Sequence, residues 1–384
     1  MIEDIVLLGC SGSIGLQTID VCYKQNNFHI VGVSLNSRID ILEEQLKYLP
    51  YLKWVSIESN KAYLEFSSKH KEYICFNGKN CSLELLKNAK YSKVVNSIVG
   101  FNGLLPSLLS LQLNKTLCLA NKESLVIGGE LIKKELNQGH GKLYPIDSEH
   151  VALAKLLKHV NRNEIEKMII TASGGSLRDY PLDKFNNVTV KDVLHHPTWA
   201  MGHRITVDSC TMVNKGFEFI EASYLFDFDI DNIDVLINDE SLVHSALLFK
   251  DHSYLFEVGP SDMRVPISYA LNETNRIDMD YKSVEFNHKC SINFRKFDYN
   301  RYPLFSLVLE TFKLKQTSMA FLNGVDEQTI KYFLDEKISY VEMIDFIKSC
   351  VKNDMILINN PSIDDLIYVD KKAREIVDNK MKGR

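Results

Sequence analysis

Nowhere in its 384 residues does the chain hold the roughly 18 consecutive apolar residues that a membrane-spanning helix requires. Basic charge is not in excess either: 45 Lys and Arg stand against 50 Asp and Glu, a formal charge of −5. Without a positive field over the molecule, nucleic acid and anionic membrane surfaces are excluded as leading partners, and any anionic ligand must be held by local groups. Cysteine occurs eight times but never as C-x-x-C and never densely. That excludes a disulfide framework and a thiolate zinc site, and leaves reduced thiols. Proline is scarce, at nine residues, and no repeat or low-complexity tract occurs, so the bulk of the chain is not disordered. A basic n-region is missing from Met1-Ile2-Glu3-Asp4-Ile5, and the expectation is a cytoplasmic protein without a signal or transit segment.

At 384 residues and 45% hydrophobic content the chain exceeds one ordinary core, and two or three domains are expected. Over residues 1–146 short apolar runs alternate with helix-length stretches. Ile5–Gly9, His29–Leu35, Lys53–Glu58, Tyr73–Phe76, Val94–Val99, Thr116–Ala120 and Lys142–Ile146 read as strands, with Ile14–Gln25 and Ile39–Leu49 as the first helices. This alternation predicts an α/β fold whose N-terminal part is a doubly wound, Rossmann-like parallel sheet with ligands at the carboxyl ends of its strands. Gly9-Cys10-Ser11-Gly12-Ser13-Ile14-Gly15 stands at the first such end, a glycine turn opening a helix. There the backbone can approach a pyrophosphate and the helix N-terminus offers free amides, which points to a dinucleotide. After the second strand, Ser37 and Arg38 favour NADP over NAD, while Asp40 argues the other way.

The middle of the chain carries the chemistry. Asp147 and Glu149 close the last strand of the first domain, and Glu218 and Glu221 share a face of the helix 214–221. Oxygen ligands without a Cys or His set suit a hard divalent cation. Between them, Thr171–Ser176, Ser209, Asn214 and Lys215 offer hydroxyls, amide hydrogens and an ammonium, the donor set for a phosphate monoester. Helix capping accounts for any one of these residues but poorly for the set. The segment Leu194–Arg204, with three histidines, a proline and one of two tryptophans, reads as a lid with Trp199 as its apolar cover.

The string His196–Gly202 followed by Ile205–Gly216 closely resembles the 1-deoxy-D-xylulose-5-phosphate reductoisomerase family. Gly9–Gly15, Leu119–Val126, Ile146–His150 and Asp262–Ile267 match that family in order, and the resemblance spans about residues 1–375. It implies conversion of 1-deoxy-D-xylulose 5-phosphate to 2-C-methyl-D-erythritol 4-phosphate, a retro-aldol/aldol isomerisation and then a hydride reduction, in non-mevalonate isoprenoid synthesis. It also implies NADPH with Mg²⁺, Mn²⁺ or Co²⁺, fosmidomycin as a substrate mimic, and a homodimer built through a small sheet. Carried across residue by residue, Asp147, Glu149 and Glu218 are the implied metal ligands, and Ser173, Ser209, Asn214 and Lys215 the phosphate clamp. Ser148, Glu149, Lys122 and His196 would touch the substrate, with Lys122 and Glu149 as proton carriers and His196 holding a hydroxyl. Ser11, Gly12, Ser13, Ile14, Asn121, Glu123 and Gly202 would touch NADPH, Ser37 and Arg38 its 2′-phosphate, and Trp199 and Met201 would form the lid over the substrate.

The expected organisation is a NADPH-binding domain over 1–146, a catalytic domain with the metal site, lid and dimer sheet over 147–280, a linker over 281–302 and a helical domain over 303–384. Ile233–Ile237 and Tyr254–Val258 read as strands of the small sheet. Two departures from the family stand out. Asn36-Ser37-Arg38 shifts the basic residue of the 2′-phosphate pocket by one position, and Phe321–Glu327 replaces an Ala-rich segment, which bears on local packing alone. Another metal-assisted NAD(P)-dependent dehydrogenase of a small hydroxy acid would share the glycine turn and carboxylates but not the phosphate clamp. A nucleotide sensor without catalysis would not need Asp147, Glu149 and Glu218 together.

Overall fold

Central strands of a parallel sheet are covered on both faces, so they are written as unbroken apolar runs. Ile5, Val6, Leu7 and Leu8 follow that rule and are fully buried. In the computed structural model, which describes residues 2–196, 199, 201–286 and 291–383, they form the middle of the first sheet. Its strands are β1 (Glu3–Leu8), β2 (Phe28–Leu35), β3 (Trp54–Ile57), β4 (Ile74–Asn77), β5 (Lys93–Asn96), β6 (Thr116–Leu119) and β7 (Lys142–Pro145). All pair in parallel, in the order β4-β3-β2-β1-β5-β6-β7. The connections carry α1 (Ser13–Gln25), α2 (Ile39–Gln45), α3 (Asn60–Lys69), α4 (Cys81–Asn88), α5 (Leu104–Gln112) and α6 (Lys122–Asn137), and α7 (Ser148–Leu157) follows β7. Strand order reverses between β1 and β5, the switch point at which such sheets bind ligands.

A second sheet has the order β11-β10-β8-β9-β12. It is mixed: β8 (Ile165–Ala172) runs parallel to β9 (Ile233–Asn238), while β10 (Val243–Phe249), β11 (Tyr254–Val258) and β12 (Phe294–Lys296) pair antiparallel. Between β8 and β9 lie α8 (Val190–Leu194), α9 (His203–Thr211) and α10 (Val213–Phe226), and α11 (Arg264–Leu271) follows β11. The chain ends in α12 (Pro303–Lys313), α13 (Ser318–Leu334), α14 (Tyr340–Asn353) and α15 (Ile363–Lys382), the helical region expected from periodicity. Among the described residues no helix is long and apolar enough to cross a membrane.

Packing divides the chain into two units that are not sequential. The first holds residues up to Ser124, Gly129–Lys155 and Asp262–Lys282; the second holds Leu125–Gly128, Leu156–Ser261 and the chain from Ser283 onward. The division expected after residue 146 therefore falls elsewhere, and α11 belongs with the parallel sheet rather than with residues 147–280. The cause is a long-range tie. Buried Lys93 on β5 donates to the Leu271 carbonyl at 2.8 Å and pairs with Glu3 and Glu273 at 3.0 Å each, and Gln25 on α1 donates to Ser268 at 2.6 Å. The expected linker over 281–302 also contains β12.

Candidate active site

In the first unit the turn after β1 is shaped by what its backbone must clear. Gly9 has φ +83°, and a Cβ there would lie 2.7 Å from the Ser97 carbonyl oxygen beyond β5. The turn thus packs against the switch point while Ser11 is half-buried and Gly12 and Ser13 face solvent. No side chain caps α1 at Gly12, so the amides of its first turn point outward as an anion site requires. At the end of β2, Ser37 and Arg38 are exposed, and Arg38 Nε stands 3.5 Å from Asp40. The residue that favours NADP and the one that opposes it are thus neighbours.

Asn121, expected against the dinucleotide, is the N-cap of α6. Its amide donates to the Ile98 and Gly100 carbonyls at 2.8 and 2.9 Å and to Glu123 at 2.7 Å, while its oxygen accepts from the Ser124 amide at 3.0 Å. The nitrogen of that buried side chain is thus committed to the loop at Ile98 and Gly100 and its oxygen to capping α6. Lys122 is buried and forms an ion pair with Asp147. Ser148 opens α7 and donates to Glu149 at 2.6 Å.

The second unit gathers a set of polar side chains of its own. Strand β8 ends at Ala172 and the chain turns through Ser173, Gly174 and Gly175. Gly175, at φ +69°, has no room for a side chain: a Cβ would lie 2.8 Å from the Ser209 carbonyl oxygen. This close approach sets the turn carrying Ser173 directly against the helix carrying Ser209. Helix α9 stops at Met212, φ +64°, and α10 starts at once, presenting Asn214, Lys215 and Glu218. Lys215 is buried, donates to the Thr171 carbonyl at 2.6 Å and pairs with Glu218, whose other oxygen accepts from Asn214 at 2.6 Å. Glu221, on the same face, is buried as well.

His196 joins this group. Its Nδ1 accepts the Trp199 amide hydrogen at 3.0 Å, which leaves the proton on Nε2, where it is donated to Ser173 Oγ at 3.1 Å. Burial, reinforced by the charge of Arg178, pushes the imidazole down to about 4. Trp199 and Met201 are half-buried, and Gly202 is the N-cap of α9. Pro197, Thr198 and Ala200 of the expected lid lie outside the described residues.

Arg178 escapes the sequence reading. It donates to the Ser173 carbonyl at 3.2 Å and pairs with Asp179 at 2.8 Å and Asp239 at 3.3 Å. Arg301 on the far side of the chain donates to the Leu177 and Tyr180 carbonyls at 2.8 and 2.7 Å, and Tyr302 to Gly174 at 2.8 Å. The only signal for Arg178 was its place two residues after Ser176, and its acidic partner at Asp239 is distant in sequence.

A parallel sheet with a dinucleotide turn at its switch point marks the first unit as that of a nucleotide-dependent oxidoreductase, and the hydroxyls and lysine of the second suit a phosphorylated small molecule. A family model described as 1-deoxy-D-xylulose 5-phosphate reductoisomerase matches residues 5–129, and models of that enzyme's C-terminal domains match 143–226 and 258–376. The enzyme of that name from Microcystis aeruginosa is 37% identical over 382 residues, 98% of each chain, and that of Halothermothrix orenii is 37% identical over 97% of each. Among solved structures, the Zymomonas mobilis enzyme in complex with NADPH is 28% identical with a TM-score of 0.90 over the whole of both chains. A reductoisomerase in complex with NADPH, fosmidomycin and magnesium is 30% identical, with a TM-score of 0.91 over 99% of this chain and 98% of that one. The chain belongs to the 1-deoxy-D-xylulose 5-phosphate reductoisomerase family.

Proposed function

We propose that the protein converts 1-deoxy-D-xylulose 5-phosphate to 2-C-methyl-D-erythritol 4-phosphate, using NADPH and a divalent cation, Mg²⁺ or Mn²⁺. The observation that carries the reading is the grouping in the second unit of Ser173, Ser209, Asn214 and Lys215 beside His196 and a buried Glu218. Complexes of relatives with NADPH, magnesium and fosmidomycin support the choice of cofactors and substrate class.

Asp147, Glu149 and Glu218 are the residues that would hold the cation. Lysine ammonium groups face Asp147 and Glu218, so the surroundings of both favour positive charge, and oxygen ligands alone suit a hard ion. When bound, the cation polarises carbonyl and hydroxyl oxygens as a Lewis acid and NADPH supplies the hydride. Ser173, Ser209, Asn214 and Lys215 bind the phosphate, far from the reacting carbons, so that its binding energy orders the segment carrying Trp199 and Met201. His196, neutral and donating from Nε2, holds a substrate hydroxyl by hydrogen bonding rather than by charge. Glu149, with Ser148 donating to it, accepts a hydroxyl proton and the Lys122 ammonium donates one as the carbon skeleton cleaves and rejoins, and each is restored by the reverse transfer. Ser11, Gly12, Ser13 and Ile14 cradle the pyrophosphate, Ser37 and Arg38 take the 2′-phosphate, and Glu123 and Gly202 border the dinucleotide. Asn121 acts there through the loop it holds rather than through its own amide.

The reading includes a homodimer through the mixed sheet, supported by the exposed Tyr254, Leu255, Phe256, Val258 and Phe294 on its outer strands. It also includes a cytoplasmic location, supported by seven free cysteines among the described residues.

The test is NADPH oxidation with 1-deoxy-D-xylulose 5-phosphate, with and without Mg²⁺ or Mn²⁺, for wild type and Glu218→Gln. Metal-dependent turnover that collapses in the variant is the expected result. Absence of turnover from a folded wild type that binds NADPH overturns the assignment.

A further inference from the structure

Helix α9, which is N-capped by Gly202 and carries Ser209, is held on one side by a buried array of charges. Arg204 in its first turn donates to Glu327 at 2.7 Å and to Asn323 at 3.0 Å, and lies 3.4 Å from Asp208 and 3.9 Å from Asp326. Glu327 and Asp370 are in turn paired with Arg374, each at 2.8 Å. Asn323 spans Glu327 and Asp370 at 3.1 and 3.4 Å. The groups meeting here are thus Arg204 and Asp208 from α9, Asn323, Asp326 and Glu327 from α13, and Asp370 and Arg374 from α15.

Four carboxyl groups face two guanidinium groups in this array, and Asp208 and Asp326 are 5% and 1% exposed. Both stand against the one Arg204 guanidinium, at 3.4 and 3.9 Å, which brings the two carboxyl groups close enough to share a hydrogen bond. Two carboxyl groups can share a hydrogen bond only if one of them carries a proton, and two like charges side by side in a dry interior cannot both persist. Burial and the neighbouring Asp208 charge accordingly hold the Asp326 carboxyl well above the usual carboxylate range. The segment Phe321–Glu327, expected to affect local packing alone, reaches the helix of the phosphate clamp instead.

We propose that Asp326 is a positioning residue for the reaction: with Asp208 it forms a carboxyl–carboxylate pair that, together with Arg204, fixes the orientation of α9 and so of Ser209. The inference rests on the reading of Ser209 as a phosphate ligand. Loss of the shared proton sets two carboxylates against each other across the α9–α13 contact, and α9 yields because its other end turns at Met212. Asparagine at 326 keeps the shape and the hydrogen bond but has no proton to lose.

The experiment compares wild type with Asp326→Asn across neutral to alkaline pH, reading KM for 1-deoxy-D-xylulose 5-phosphate and, by calorimetry, binding of inorganic phosphate. In wild type both are expected to weaken about three- to tenfold at the alkaline end, and in the variant to stay flat. Melting temperature is recorded alongside. A carboxyl whose folded value is raised contributes stability that is present at acid pH and lost as pH rises, so the variant's advantage grows with pH. A role in packing alone moves the melting temperature and leaves the two binding profiles parallel, and that result overturns the proposal. Phosphate binding reads α9 without turnover, so failure of the reductoisomerase assignment shows separately, as an inactive wild type. Should Asp326→Asn not fold, Asp208→Asn tests the same pair from its other member.

Discussion

Lys215 contacts the Thr171 carbonyl and Glu218 inside the protein, besides the phosphate it is proposed to bind. Lys215→Met removes a charge-assisted contact worth about 2–3 kcal/mol and leaves a buried carboxylate without its counter-ion. Steady-state kinetics are expected to show kcat lowered as well as KM raised, with kcat/KM down about a hundredfold; a change in KM alone would contradict the role given to phosphate binding. His196 leads to a pH prediction. Its folded value of about 4 lies below the unperturbed imidazole, so the ring is neutral throughout the working range. The acid limb of kcat/KM is expected to lack a step near the ordinary imidazole value, and Arg178→Met, which removes the nearby cation, moves the His196 titration upward in a histidine NMR titration. With Arg38 in its proposed place beside the 2′-phosphate, Arg38→Ala is expected to raise KM for NADPH about tenfold and leave NADH unaffected. At this scale the sequence was informative where the chemistry is local. Lys215, Glu218 and Asn214 lie within one helical turn, and Ser173 follows a strand end. Arg178 and Asp326 were not legible, since their meaning depends on Asp239 and Asp208, which only the fold brings near them.

Each of the seven parallel strands was written in the chain as a short apolar run with a turn signal after it, and the structure places all seven within a few residues of the expected positions. Strand β10 was not foreseen, because His244 and Ser245 interrupt its apolar character. Strand β12, three exposed residues, carries no burial signal at all. The placement of α11 was hidden for another reason: its amphipathic face looks alike whichever sheet it covers, and the ties through Lys93 and Glu273 are long-range. Lys93 and Lys142 hold Glu273 down to about 2. A carboxylate depressed in the folded state contributes stability that is present above its unfolded value and lost as pH falls through the range between the two. Glu273→Gln is therefore expected to cost about 1–2 kcal/mol at neutral pH, discounted for partial exposure, with the deficit shrinking towards zero in thermal melts below the unfolded carboxylate value.

For the whole molecule, the outer strands of the mixed sheet present Tyr254, Phe256 and Phe294 with their rings stacked, Tyr254 on Phe256 at 5.7 Å and Phe256 on Phe294 at 5.3 Å. An ordered aromatic surface left exposed is what an interface core looks like before it is covered. For the proposed homodimer, Phe256→Asp is expected to yield a monomer in sedimentation velocity with an unchanged far-UV spectrum; a wild type that is itself monomeric overturns the dimer, and a variant that stays dimeric moves the interface elsewhere. The discontinuous make-up of the first unit bears on how the protein is made. Its sheet is complete once β7 has been synthesised, yet α11 arrives only after Ser261, with the mixed sheet made in between. Until then the Lys93 ammonium lacks the Leu271 carbonyl and Glu273, and the apolar side chains of Ile267, Ala270 and Leu271 are missing from the core they share with Ile5, Leu7 and Ile19. A ribosome that has finished the nucleotide-binding half has therefore not finished its core, and a nascent chain stalled before residue 262 should be far more open to protease than its seven completed strands alone would lead one to expect.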